Sequence, residues 1–83
     1  MNLRYWGSDP AIDEVHIARL VGLGRDRDVD ISVEYVDVVT YVERAIMDNI
    51  IVTPTLDRLA PMPRMRLIAM PSDMSDMLAH LMA

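Results

Sequence analysis

The stretch that decides the fold is Asn-Ile-Ile-Val-Thr-Pro-Thr-Leu, residues 49–56. Its branched aliphatic residues predict a strand, and Pro54 marks the point where that strand begins or bends. The bond between Thr53 and Pro54 fits a trans proline at a strand edge. It equally fits a cis proline, since the cis form of an X–Pro bond costs only about 0.5–1 kcal/mol. The residues that follow, 56–59, fit either a strand or a helix.

The N-terminal half predicts a strand, a helix and a second strand. Residues 3–6 form a short aromatic-rich segment with Leu3 and Tyr5 on one face, which is typical of a strand. Asp9 can cap a helix that begins at Pro10 and ends near Gly22 or Gly24. A charged loop at residues 25–28 then leads to residues 30–35, which alternate with period two and are followed by residues 36–39. This alternation is the strongest strand signal in the chain.

The C-terminal half predicts a short helix, further strands and a closing helix. Thr40 and Glu43 have the spacing of a capping box, so we expect a helix to about residue 49 with Val42 and Ile46 facing inward. Strands should follow at residues 50–52 and 66–70. Pro71 begins the last helix, whose apolar stripe is listed as Met74, Met77, Leu78, Leu81 and Met82.

These segments give the order βαβαββα in a single α/β domain that covers residues 1–83. The first two strands are parallel, because a βαβ crossover joins them. A hairpin and a closing helix complete a thioredoxin-like arrangement of layers. In enzymes of that fold, a reactive cysteine pair follows the first strand at the start of the first helix, where the helix end lowers the thiol pKa.

The composition excludes several classes of function. The chain has 83 residues, a net charge of −5 and no cysteine. An acidic chain is a poor ligand for nucleic acid or for an anionic membrane surface. We see no signal peptide and no membrane span, and we expect a cytoplasmic protein. Apolar residues make up 52% of this small chain, which indicates a surface that a partner or a second copy covers. We therefore expect a homo-oligomer.

Candidate catalytic groups are few. Ser8 stands where a thioredoxin-like enzyme would carry its thiols, and the sequence places no evident base beside it. An enzyme that uses Ser8, Asp9 or His16 is an alternative that activity measurements would detect. His80 lies off the apolar stripe and should be solvated. We expect no catalytic residue and no cofactor.

Two patterns in the chain resemble metal sites, but neither of them predicts one. Asp26, Asp28 and Asp30 resemble part of a calcium loop, but the glycine and the distal glutamate of an EF-hand are absent. Six of the eight methionines lie between residues 62 and 82. Thioethers bind Cu(I), yet a core or interface role accounts for these side chains.

The basic residues of the C-terminal half form one cluster, which consists of Arg58, Arg64 and Arg66. Most of the acidic residues lie between residues 9 and 48, so the chain is polarised in charge. A solvated face explains the cluster in the simplest way. The functional interpretation is a docking patch for an acidic partner surface.

With these motifs in place, the chain resembles the KaiB family of circadian clock proteins over nearly its whole length. The segments that carry the resemblance are GSDP (7–10), VDV (36–38), IVTPTL (51–56), PMP (61–63) and RLI (66–68). The most specific part is the TPTL block, followed by a basic residue at Arg58, the proline pair and Arg66.

The resemblance implies a non-catalytic module that works by binding. KaiB docks on the ATPase KaiC and then engages other clock proteins, including KaiA. Carried over to this chain, it predicts a KaiC-type ATPase as partner, with contacts at Thr53, Pro54, Arg58 and Arg66. It also implies a resting oligomer, a tetramer or a dimer, and a change of fold in residues 45–83. The thioredoxin-like order would then be the form that binds.

The chain departs from the family pattern at a few positions. Glu14 stands near the usual arginine of helix one, and Met65 replaces one arginine of the pair after the prolines. The usual Gly-Asp after the next strand is Ala69-Met70, a position that bears on which fold is preferred. The familiar tyrosine of strand one falls near Arg4. A second hypothesis is therefore a stand-alone sensor domain with a different partner, similar to the KaiB-related input domain of clock histidine kinases.

Overall fold

The computed structural model describes residues 1–68 and 74–83, and it confirms the order βαβαββα. The strands are β1 (Asn2–Gly7), β2 (Ser32–Asp37), β3 (Thr55–Ala60) and β4 (Met65–Ile68). The helices are α1 (Pro10–Asp26), α2 (Val42–Met47) and α3 (Met74–Met82). None of these helices is long and apolar enough to cross a membrane.

The four strands form one mixed sheet in the order β2-β1-β3-β4. β1 lies inside the sheet and pairs parallel with β2, as the crossover predicted, and antiparallel with β3. β3 and β4 form the antiparallel hairpin. Because β1 is central, the turn that follows it lies beside the ends of both neighbouring strands.

The main core lies between one face of the sheet and the helices α1 and α3. Alternate residues of the strands point to this face, as period two requires. Its buried members are Leu3, Tyr5, Leu20, Ile31, Leu56, Met74, Met77, Leu78 and Leu81. Met74 and Met77 of α3 therefore belong to the core. The stripe prediction is wrong for Met82, which is 44% exposed.

Among the described residues, α2 covers the opposite face of the sheet at one end. Trp6 and Val36 pack there against Ala45 of α2. The rest of this face carries charged side chains, among which Arg4 and Glu34 are reached by solvent.

The prediction for the second helix is partly wrong. Tyr41, not Thr40, precedes α2, and it makes no side-chain capping bond. The hydroxyl of Thr40 donates instead to Asp37 Oδ2 at 3.3 Å, so it is not free to cap. Val42 and Ile46 are exposed, and Ala45 is the buried residue of this helix. A helix that ends at Met47 is too short to bury all of its apolar residues.

The ends of other elements differ from expectation by a few residues. α1 continues to Asp26, so half of the predicted charged loop is helical, and β2 begins at Ser32. Residues 50–52 form a loop, so the strand predicted there is wrong. Residues 56–59, which fitted either a strand or a helix, are strand. The Thr53–Pro54 bond is cis, as are Ala60–Pro61 and Met62–Pro63. The predictions for Ala69, Met70 and the helix start at Pro71 fall outside the described residues.

Candidate interaction surface

The turn after β1 and the loop before β3 meet at the edge of the molecule. Ser8 Oγ lies 2.9 Å from Thr53 Oγ1, and either hydroxyl can donate. The hydroxyl of Thr55 donates to the carbonyl of Val52 at 2.7 Å, which closes the loop on itself. The structure thus brings together the two positions that the sequence singled out, the cysteine-free turn and the Thr53–Pro54 step.

Exposed apolar side chains precede Thr53 in the chain, at the end of α2 and in the loop before β3. Ile51 is 88% exposed and Val52 is 43% exposed, and both lie directly before Thr53. Ile46 and Met47 at the end of α2 are 68% and 82% exposed. We call these four side chains the 46–52 apolar surface. A run of large apolar side chains in water is typical of a surface that a partner covers.

A buried carboxylate holds the turn from below. Asp13 lies in the first turn of α1 and is only 4% exposed. Its Oδ2 accepts from Tyr35 Oη at 2.7 Å and from the backbone N–H of Asp9 at 3.1 Å, and its Oδ1 accepts from Tyr5 Oη at 3.0 Å. The carboxylate is therefore satisfied by three donors and joins α1 to β1 and β2.

His16 extends this network. Its Nδ1 lies 3.0 Å from Tyr5 Oη. Because that hydroxyl gives its single proton to Asp13, Nδ1 of His16 is the donor in this contact. Burial and the carboxylate of Asp13 raise the pKa of Tyr5 and of Tyr35, so both phenols stay neutral donors.

These contacts do not form a catalytic pair of a serine and a base. The hydroxyl of Ser8 contacts Thr53, and the imidazole of His16 contacts Tyr5. Asp9 caps α1 by accepting from the N–H of Ile12. Within residues 1–68 and 74–83, no group of three His, Cys, Asp or Glu residues is placed to hold a metal ion.

A second buried carboxylate organises the other face of the sheet. Asp57 is 7% exposed and accepts from Trp6 Nε1 at 2.9 Å. Arg66 donates to both of its oxygens, at 2.7 and 3.0 Å, and also to the carbonyl of Asp48 at 2.9 Å. Arg66 is thus a partly exposed cation whose position is fixed by the strand beside it.

This ion pair predicts a specific response to acid. Burial raises the pKa of Asp57, but the hydrogen bonds from Arg66 and Trp6 outweigh burial, and the pKa lies below its usual value. The ionised form therefore stabilises the fold above the unfolded pKa of about 4, and this stability is lost as the pH falls through the folded value. We expect Asp57→Asn to unfold more easily at neutral pH and to lose less stability below about pH 4, as measured by denaturant unfolding at several pH values.

Glu34→Gln provides the comparison for this prediction. Hydrogen bonds from Arg44 and Arg4 lower the pKa of Glu34 as well, but this carboxylate is exposed to solvent. Solvent screens such a pair, so the variant should change the acid profile less than Asp57→Asn does. If the free energy of unfolding depends on pH in the same way for the wild type and for Asp57→Asn, the stabilising role assigned to the ionised Asp57 is contradicted.

The basic cluster that the sequence indicated is divided by the structure. Arg58 is 3% exposed, and its guanidinium donates to the carbonyls of Pro63 and Leu81. It ties the β3–β4 hairpin to α3. Arg64 is exposed. The prediction that Arg58 and Arg66 contact a partner stays a prediction, and Arg58 would have to leave these carbonyls to take part.

Several of these groups were not identified from the sequence. Asp13 was not predicted as a site residue, although its spacing of four from Asp9 places both on the same side of α1. Asp57 lies in an apolar strand next to an arginine, a pattern that gives no signal of burial. Ile51 and Met47 were missed because apolar residues are normally expected inside.

Comparison with known proteins supports the fold. No family model and no curated protein sequence matches the chain. Among solved structures, thioredoxin 1 from Thermosipho africanus TCF52B superposes with a TM-score of 0.69 at 18% sequence identity, covering 99% of this chain and 91% of that chain. The N-terminal domain of Synechococcus elongatus SasA also gives a TM-score of 0.69, at 24% identity, covering 98% of this chain and 77% of that chain. At these identities the likeness shows the thioredoxin-like fold, which confirms that prediction.

Proposed function

We propose that this chain is a non-catalytic protein-interaction module of the KaiB type, which binds a KaiC-type ATPase and modulates clock-related signalling. The observation that carries the proposal is the 46–52 apolar surface beside the Ser8–Thr53 contact. It leads directly to Thr53, which contacts Ser8 in the turn where a thioredoxin-like enzyme would have its thiols, in a chain without cysteine. An apolar surface at this position supports binding in place of redox chemistry.

The arrangement of the proposed contact follows from the geometry. Ile51 and Val52 supply apolar area, and Thr53 and Pro54 are half-buried at its border. Arg66 supplies a positive charge that Asp57 holds in place. Such an apolar centre with a polar border is the usual composition of a protein interface. In this proposal Arg58 acts indirectly, by fixing the hairpin that carries Arg66.

Binding to the cognate KaiC-type ATPase tests this function. We expect the immobilised ATPase to capture the chain in the presence of ADP or ATP. Ile51→Asp should weaken capture by about tenfold or more, because it places a charge in the centre of the interface. Since Ile51 is 88% exposed, the variant should melt within a few degrees of the wild type.

The matched control is Val15→Asp. Val15 is 65% exposed on α1, outside the 46–52 apolar surface. This variant should bind as the wild type does. If the wild type is not captured under either nucleotide, the ATPase is not the partner; if both variants lose capture equally, the surface is assigned wrongly.

The second candidate is a stand-alone sensor or input domain with a different partner, like the KaiB-related domain of clock histidine kinases. The superposition on the SasA N-terminal domain favours it. Solution mass and NMR secondary-structure shifts distinguish the two. A second fold in residues 45–83 or a resting oligomer supports the KaiB type, whereas a monomer with one fold supports the sensor domain.

A further inference from the structure

A concave apolar site lies beside the first turns of α1, where the helix crosses the outer strand β2. It has a volume of about 230 Å³, and it is lined by Pro10, Glu14, Ile17 and Tyr35. Pro10, Ile17 and the ring of Tyr35 form apolar walls, and Glu14 is the charged residue, exposed at the rim. We call this site the α1–β2 groove.

The aromatic wall of the groove is held rigidly. The hydroxyl of Tyr35 donates to Asp13 Oδ2 at 2.7 Å, and Asp13 itself is fixed by two further donors. A ligand that stacks on this ring would not have to order it first. Such preorganisation reduces the entropic cost of binding.

The surroundings of the groove are negatively charged. The carboxylates of Asp13, Asp37 and Asp9 lie close enough to Tyr35 to add to the effect of burial in raising its pKa. Glu14 adds a further negative charge at the rim. In the parts of the chain that the structure describes, the ion pairs of the arginines go to other carboxylates, namely Glu34, Asp48 and Asp57. The imidazole of His16 is engaged with Tyr5.

We propose that the α1–β2 groove receives an arginine side chain of a partner protein. The aliphatic stem would lie against Pro10 and Ile17, and the guanidinium would lie near Glu14 and the face of Tyr35. Arginine suits this site because its planar cation is weakly hydrated and stacks on aromatic rings. The groove is separate from the 46–52 apolar surface, so this inference goes beyond the proposed function and does not depend on the ATPase.

An NMR titration with two matched peptides tests the groove. The probes are acetyl-Leu-Arg-Leu-amide and acetyl-Leu-Gln-Leu-amide, added to the isotope-labelled chain at low and high ionic strength. We expect the arginine peptide to shift the amides of Glu14, Ile17 and Tyr35 and to bind about two- to fivefold more tightly than the glutamine peptide. High salt should remove this preference.

Glu14→Gln should also abolish the preference, whereas Glu43→Gln, which removes an exposed acid on α2, should keep it. Equal binding of the two peptides, or an equal loss in both variants, overturns the proposal. The proposal is also overturned if the amide signals of the groove residues shift when only the protein concentration is raised. In that case a second copy of the chain would occupy the groove. Failure to capture the ATPase would leave these outcomes unchanged.

Discussion

Replacing Gly7 with alanine should lower the free energy of unfolding by about 3 kcal/mol or more, because the new methyl group has no room. A Cβ at position 7 would lie 1.9 Å from Asp13 Oδ2 and 2.5 Å from its Cγ. Gly7 has no positive φ, so space and not backbone conformation requires the glycine. The variant either moves the carboxylate away from its three donors or distorts the end of β1.

The matched control is Gly22→Ala in the middle of α1. A Cβ there would meet nothing within 4 Å. This variant should therefore be more stable by about 0.5–1 kcal/mol, which is the usual difference between alanine and glycine in a helix. Thermal melting should show Gly7→Ala lower by more than about 10 °C. Equal melting temperatures for Gly7→Ala and the wild type would contradict the packing described here.

The double variant Gly7→Ala/Asp13→Ala tests whether contact with Asp13 causes the loss of stability. Asp13→Ala removes the carboxylate that the methyl group would meet, although it also leaves the hydroxyl of Tyr35 without its acceptor. We expect the cost of Gly7→Ala to be smaller in the Asp13→Ala background than in the wild type. Additive costs would mean that Gly7 is needed for a reason other than Asp13.

The second large effect is expected at Arg58. Arg58→Ala should cost about 3 kcal/mol, because it removes charge-assisted hydrogen bonds and leaves the carbonyls of Pro63 and Leu81 without a donor. A domain of this size has a total stability of about 4–12 kcal/mol. The change should therefore be visible as a large shift in the urea midpoint.

Arg64→Ala is the control for charge. Arg64 is an exposed arginine of the same hairpin, so its loss should change stability by less than about 0.5 kcal/mol. Comparison of Arg58→Ala with Arg64→Ala also distinguishes a structural role of Arg58 from a role in partner binding. If Arg58→Ala is as stable as Arg64→Ala, the guanidinium is not the tie between the hairpin and α3.

The sequence predicted most of the architecture, because strong local signals and the layer arrangement agree. Period two in β2, the Asp9 cap with Pro10, and the stripe of α3 each specify an element. The second helix was less well predicted. Its capping signal competes with a hydrogen bond from Thr40 to Asp37, and that bond depends on where β2 ends.

The candidate site was predicted only in part. Thr53 and Ser8 were identified from their chain positions, and the structure brings them together. The roles of Asp13 and Asp57 depend on residues that are distant in the chain, such as Tyr35 and Trp6. Nor does the sequence separate the buried Arg58 from the exposed Arg64, because burial of a charge is decided by tertiary packing.

Binding of a KaiC-type ATPase through the 46–52 apolar surface is our proposal for this thioredoxin-like chain without thiols. It can be tested by an NMR spectrum of the isotope-labelled chain, recorded free and with the ATPase under ADP or ATP. We expect strand shifts at Thr55–Ala60 and Met65–Ile68 in the thioredoxin-like form. On addition of the ATPase, the amides of Ser8 and of residues 51–53 should broaden first, and that of Val15 least. A spectrum that the ATPase leaves unchanged under both nucleotides would contradict binding through this surface.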